Sequence, residues 1–222
     1  MDKGIQIRLL VMSAVLIAVS VVFLSIPEPV KTPAPDLDSQ RDIPDGGQYI
    51  SEIIDGDTFK LSDGRTIRLI GVDTPETEMP FYAEAVAFAE SLLMRKQIST
   101  EFDEEDRDKY GRFLVYAYLD SNFVNELIIR RGLGIVYLFE SNLKSASLLI
   151  EAQKEARAAN LGIWSLPDPA PEDYYVNIEG SYRFHRPLCM AIKRSDPEKR
   201  RVYYSREELL DKGFSPCRNC RP

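Results

Sequence analysis

Between positions 9 and 25 the chain reads LLVMSAVLIAVSVVFLS, an unbroken apolar run with Lys3 and Arg8 ahead of it. A run of this length is within the range that crosses a bilayer as one helix. It ends in Val-Phe-Leu-Ser-Ile-Pro, a poor match to the small-residue site of a cleaved signal. The expectation is therefore an uncleaved transmembrane signal-anchor, with secretion after signal cleavage as the alternative. The basic flank makes residues 1–8 a cytoplasmic n-region, and the bulk of a single-pass cell-membrane protein would face outward. Residues 26–47 contain five Pro and few apolar side chains, so they read as an extended linker. Folding information begins near Gln48.

From there the pattern alternates between periods of two and of 3.6. Residues 49–54, 58–61 and 66–70 read as strands, with Ser62-Asp63-Gly64 as a hairpin turn. Gly71 breaks the third run, and Asp73-Thr74-Pro75-Glu76 reads as a loop. A helix is expected over 83–95, strands over 98–102 and 113–118, and a helix over 124–131 that Ser121-Asn122 could cap. A longer helix is expected over 144–159, with Trp164 sealing its end. Strands followed by interleaved helices and strands make an α+β domain built on a β-barrel, compatible with an oligonucleotide-binding fold.

Charge divides the chain. Residues 48–165 carry 13 Lys/Arg against 20 Asp/Glu, whereas 172–222 carry 11 against 8. An acidic body argues against tight, indiscriminate binding of long nucleic acid, unless the acid is gathered around a bound cation that reverses the local field.

The acid does cluster. Asp55 and Asp57 flank one Gly, and on extended backbone they would share a side. Two such carboxylates repel unless a cation lies between them, although solvated turn aspartates give the same pattern. Asp73, Thr74 and Glu76 project from a segment stiffened by Pro75, offering hard oxygen ligands suited to Ca²⁺ or, alternatively, caps for nearby amides. Arg68 interrupts an apolar strand, so it needs either a carboxylate partner or a phosphate. Arg112 opens another strand. Such a set meets the needs of phosphodiester hydrolysis: cations neutralise the charge that builds on the phosphate, and a free carboxylate handles the water.

Three runs make the pattern specific: Ile54-Asp55-Gly56-Asp57-Thr58, Arg68-Leu69-Ile70-Gly71-Val72-Asp73-Thr74-Pro75-Glu76 and Asp108-Lys109-Tyr110-Gly111-Arg112. In order and spacing they resemble the signature blocks of the staphylococcal nuclease family, and the similarity covers roughly 48–166. The resemblance implies a five-stranded oligonucleotide-binding barrel with three helices and a hydrolase acting on DNA and RNA. Its family cleaves the 5′ P–O bond and leaves 3′-phosphates. It further implies Ca²⁺ ligands at Asp57, Asp73 and the Thr74 carbonyl, with Asp55 in the outer shell. Glu76 would activate the water, Arg68 and Arg112 would hold the phosphate, and Tyr110 and Tyr137 would meet the base. The segment 77–83 is shorter than in the family's namesake and lacks its lysines. A non-catalytic nucleic-acid receptor or scaffold is the alternative, and no protein partner is identifiable.

The chain's single His and all three Cys lie in its last forty residues, as His185-x₃-Cys189 and Cys217-x₂-Cys220. A Cys₃His set is a closed, structural Zn²⁺ site, with a Cys217–Cys220 disulfide as the competitor. Ser205-Arg-Glu-Glu208 is a capping box opening a short helix that stops at Gly213. The tail, over 172–222, resembles small Ada-like zinc modules, which can contact DNA phosphates. Its many arginines, Arg183, Arg186, Arg218 and Arg221 among them, fit that role or a plain solvated face.

Overall fold

The computed structural model describes residues 48–222. The expected n-region at 1–8, spanning helix at 9–25 and linker at 26–47 lie outside the described residues. Among the described residues no helix is long and apolar enough to cross a membrane.

Strand β1 (Ile50–Asp55) turns through Gly56-Asp57 into β2 (Thr58–Leu61), and Ser62-Asp63-Gly64 turns β2 into β3 (Thr66–Leu69). Gly64 takes a φ of 88°, the left-handed conformation that the hairpin needs and a side chain resists. Then follow β4 (Gly71–Asp73), helix α1 (Tyr82–Leu93), β5 (Ser99–Glu101), β6 (Phe113–Leu119) and the short β7 (Asn122–Phe123). Helix α2 (Val124–Arg130), β8 (Ile135–Tyr137) and helix α3 (Ala146–Ala158) complete the first part. The main sheet has the order β1-β2-β3-β6-β5, with β7 against β6, and β3 and β6 run parallel. A separate antiparallel pair joins β4 to β8. This is the expected five-stranded barrel with three helices.

The core explains the periods read from the sequence. Phe59, Ile67, Leu69 and Val115 point inward from the strands and meet Leu93, Ile128, Ile129 and Leu149 from the helices. Buried Asn125 fixes α2 to the sheet. Its Nδ2 donates to the Ile70 carbonyl at 2.8 Å and its Oδ1 accepts from the Ala117 amide at 2.9 Å. A buried amide with both ends satisfied specifies register at little cost. Here it anchors the residue just before β4, the strand that carries Asp73.

After a 3₁₀ turn at Gly162–Ser165, the tail forms β9 (Tyr175–Ile178), β10 (Arg183–His185), α4 (Met190–Arg194), β11 (Arg200–Tyr203), α5 (Arg206–Asp211) and β12 (Ser215–Pro216). Its sheet order is β11-β9-β10-β12, with β12 parallel to β10. Ser205 caps α5 by accepting from the Glu208 amide at 3.1 Å, as the capping box predicts. The tail is docked on α3. Gln153 accepts from the Val136 amide at 2.8 Å and donates to the Leu210 carbonyl at 3.2 Å, joining β8, α3 and α5 through one side chain. Gly213, at φ 80°, lies so close to α3 and the residue after β8 that a Cβ would come within 2.8 Å of Ile150 and 2.9 Å of Leu138.

Four expectations need correcting. Asp73 ends strand β4 instead of lying in a loop, because β4 pairs with a strand over 135–137 too short to show a period. Asp55 and Asp57 do not share the side of an extended strand. Asp57 lies in the turn, and its amide donates to Asp55 Oδ1 at 3.0 Å. Ser121-Asn122 does not cap α2; Asn122 is taken into β7, and the helix starts at Val124 without a side-chain cap. Trp164 packs in the tail's own cluster with Tyr175, Phe184 and Leu209 rather than on the barrel core.

Candidate active site

One cleft of about 620 Å³ brings together Asp55, Asp57, Arg68, Asp73, Thr74, Glu76, Tyr110, Arg112 and Tyr137. These residues are spread over more than eighty positions, and the sheet gathers them. Asp55 ends β1, Asp57 lies in the β1–β2 turn, β3 carries Arg68, and β4 with the following loop carries Asp73, Thr74 and Glu76. Arg112 stands at the start of β6, which is parallel to β3 and therefore opens toward the same end.

Asp57 is the hub. Its Oδ1 accepts from Arg68 Nη1 and, at 2.9 Å, from the Thr58 hydroxyl. Its Oδ2 accepts from the Thr74 amide at 3.0 Å and the Thr74 hydroxyl at 3.3 Å. Thr74 thus orients Asp57, a role its sequence position did not announce. Arg68 also donates through Nη2 to the Val72 carbonyl at 3.1 Å and Asp73 Oδ1 at 3.4 Å, so its guanidinium spans both buried carboxylates. Burial pushes the Asp57 pKa up, but Arg68 and the Thr74 amide outweigh it and hold the group below its usual value. Asp73 goes the other way: its burial outweighs the opposing charges of Arg218 and Arg68, and its pKa rises. Asp55 is pushed up to about 6, by burial first and then by the charge of Asp57.

Repulsion of Asp55 and Asp73 by Asp57 is what a divalent cation would relieve. The Asp55, Asp57 and Asp73 carboxylates are hard oxygen donors of the type Ca²⁺ prefers, so the residues fit the ion that the sequence led us to expect.

Arg112 is clamped by Asp108, with Nε donating to Oδ2 at 2.7 Å, and its Nη1 reaches the Thr58 hydroxyl at 3.5 Å. Asp108 also accepts from the Tyr110 and Arg112 amides at 2.9 and 3.0 Å, which fixes the turn ahead of β6. Tyr110 is 72% exposed, and Tyr137 also lines the cleft.

The sequence profile described as staphylococcal nuclease homologue matches residues 66–166. The thermonuclease of Staphylococcus hyicus is 30% identical over 172 residues, covering 73% of this chain and 99% of the relative. The chain belongs to the staphylococcal nuclease family. The thermonuclease of Staphylococcus intermedius is 36% identical over 135 residues (57% of this chain, 80% of that one). Endonuclease YncB of Bacillus subtilis is 36% identical over 127 residues (52% and 60%). As a staphylococcal nuclease homologue the protein is a nuclease, a hydrolase acting on nucleic acid.

Two arginines in this nuclease's cleft come from outside the profile's span. Arg218 donates through Nε to Asp73 Oδ2 at 3.2 Å, and its terminal nitrogens bind Asp73 Oδ1 and Glu76. Arg183 lies over the Tyr137 ring, 4.1 Å from its centre, with Nη2 3.8 Å from Asp73 Oδ2. Both were visible only as members of a basic tail. Their placement depends on a docking between segments more than a hundred positions apart, which no local pattern encodes.

Below them, His185, Cys189, Cys217 and Cys220 converge, with one ligand atom from each lying within 4.8 Å of the others. The three thiols are free, so the Cys217–Cys220 disulfide is not formed. Burial, then the neighbouring Arg183, lowers the His185 pKa, and its buried Nδ1 has no hydrogen-bond partner. An orphaned imidazole nitrogen beside three thiols fits a soft metal such as Zn²⁺.

Proposed function

We propose that this nuclease is a Ca²⁺-dependent phosphodiesterase that cuts both DNA and RNA at the 5′ P–O bond, leaving 3′-phosphates. The observation that supports the reading best is the gathering of Asp57, Asp73, Glu76, Arg68 and Arg112 in one cleft. Asp57, Asp73 and the Thr74 carbonyl would hold the ion, with Asp55 behind them; bound there, Ca²⁺ supplies positive charge beside the phosphate's non-bridging oxygens. Arg68 and Arg112 bind the phosphate and neutralise the charge that grows on it during in-line attack. Glu76, the exposed carboxylate on the rim, orients a water and accepts its proton. Tyr110 and Tyr137 offer faces to bases. Zn²⁺ held by His185, Cys189, Cys217 and Cys220 is structural in this reading, since four protein ligands leave no position open for chemistry.

The apolar run at 9–25, with Lys3 and Arg8 before it, supports a membrane anchor that holds the enzyme outside the cell. Extracellular nucleic acid is then the substrate pool.

Plasmid and RNA digestion in Ca²⁺, and then in EGTA, tests the activity, with end-group analysis for the 3′-phosphate. Glu76→Gln is expected to lower turnover by two or more orders of magnitude while the circular dichroism spectrum is retained. Unchanged turnover in that variant removes Glu76 from the mechanism.

A further inference from the structure

The barrel domain is acidic and the tail is basic, yet the cleft lies where the two meet. Arg218 occupies the middle of the Cys217-x₂-Cys220 turn, which β12 delivers to the cleft by pairing with β10: the Cys217 amide donates to the Phe184 carbonyl at 2.9 Å. Arg183 is on β10 itself, with Nη1 donating to the Pro216 carbonyl at 3.2 Å. A guanidinium that reaches Asp73 and Glu76 can also reach the oxygens of a phosphate lying beside them. The Arg218 side chain is 41% exposed, and reaching a phosphate requires it to exchange a contact with Asp73 or Glu76 for one with the substrate. Arg183 covers one face of Tyr137, which aligns a cation with the edge of the surface where a base would lie.

We propose that Arg218 and Arg183 are substrate-positioning residues: the C-terminal module extends the nuclease cleft and grips a phosphate flanking the one that is cleaved. The barrel itself contributes Arg68, Lys109 and Arg112 to the cleft lining, and the tail adds Arg183 and Arg218, on a short strand and a cysteine turn. This makes the enzyme one that favours polynucleotides over single-phosphodiester substrates. The inference rests on the nuclease reading above.

Steady-state cleavage at saturating Ca²⁺ tests it, with an oligonucleotide and a nitrophenyl phosphodiester of a single nucleotide as paired substrates. Arg218→Ala is expected to raise KM for the oligonucleotide about tenfold more than KM for the small substrate, whatever change in kcat the two substrates share. Arg218→Lys should recover part of the loss, and Arg183→Ala should show the same selectivity. Binding of a phosphorothioate oligonucleotide, followed by fluorescence anisotropy against salt, should lose roughly 0.7 from its log–log slope in Arg218→Ala. Equal losses on both substrates mean that Arg218 only supports the site's shape and overturn the proposal. So does a gain in activity, which would make Arg218 a brake, or an unchanged salt slope. If the wild-type protein cleaves neither substrate, the calcium mechanism fails while the slope still decides this question.

Discussion

Arg68 Nη1 donates to Asp57 Oδ1 while its Nη2 reaches Asp73 Oδ1, so one guanidinium compensates two buried carboxylates. Removing one partner of a buried pair strands the other's charge, at a cost on the order of 3 kcal/mol. Arg68→Met should therefore lose about that much stability in urea titrations with EGTA. Millimolar Ca²⁺ should return part of it, because the ion replaces the missing positive charge and binds only the folded state. An undiminished midpoint in EGTA, or no recovery with Ca²⁺, contradicts this account of the site.

Asp55 yields a pH prediction. The folded protein keeps its carboxyl protonated up to about pH 6, whereas a free aspartate titrates at 3.8. A folded pKa above the unfolded one means that ionisation costs stability. The penalty is absent below pH 4, grows between pH 4 and 6, and is complete above that. Asp55→Asn should thus raise Tm in EGTA by about 2 °C at pH 7 and by nothing at pH 4. The same substitution should weaken the stabilisation by Ca²⁺, because it removes an anionic partner of the ion. Differential scanning calorimetry at the two pH values checks both.

For the metal cluster, elemental analysis of the full chain is expected to return about one zinc per molecule. His185→Ala should lower that content, and stripping with a zinc chelator should lower Tm, since ligand binding energy in a structural site is folding energy. Elemental analysis that finds no zinc, together with a thiol titration that finds the cysteines oxidised, would refute the site.

Gly213→Ala tests the docking of the tail. The new Cβ would press on Ile150 and Leu138 at a φ that disfavours side chains, and the strain should cost about 2 kcal/mol. Because the tail positions Arg218, KM for an oligonucleotide should rise together with the fall in Tm.

Much of this was legible in the sequence where the determinants are local. The Ser62-Asp63-Gly64 hairpin, the Ser205 cap and the strand carrying Arg68 follow from turn chemistry and periodicity. The signature runs foretold which side chains would meet in the cleft. What stayed hidden depends on partners far away in the chain. Strand β4 exists because residues 135–137 pair with it, and neither three-residue segment has a period of its own. Arg218 looked like one basic residue of many until β12 was paired with β10.

The Asp73–Arg218 contact spans 145 positions, and β12 is the last strand of the tail. Closing so long a loop is entropically costly until both ends are already folded, and chains leave the ribosome N-terminus first. The barrel's carboxylates are thus assembled before the guanidinium that meets them is synthesised. Assembly of the cleft therefore waits on Arg218: until the tail has been made and docked, the barrel holds its carboxylates without that partner.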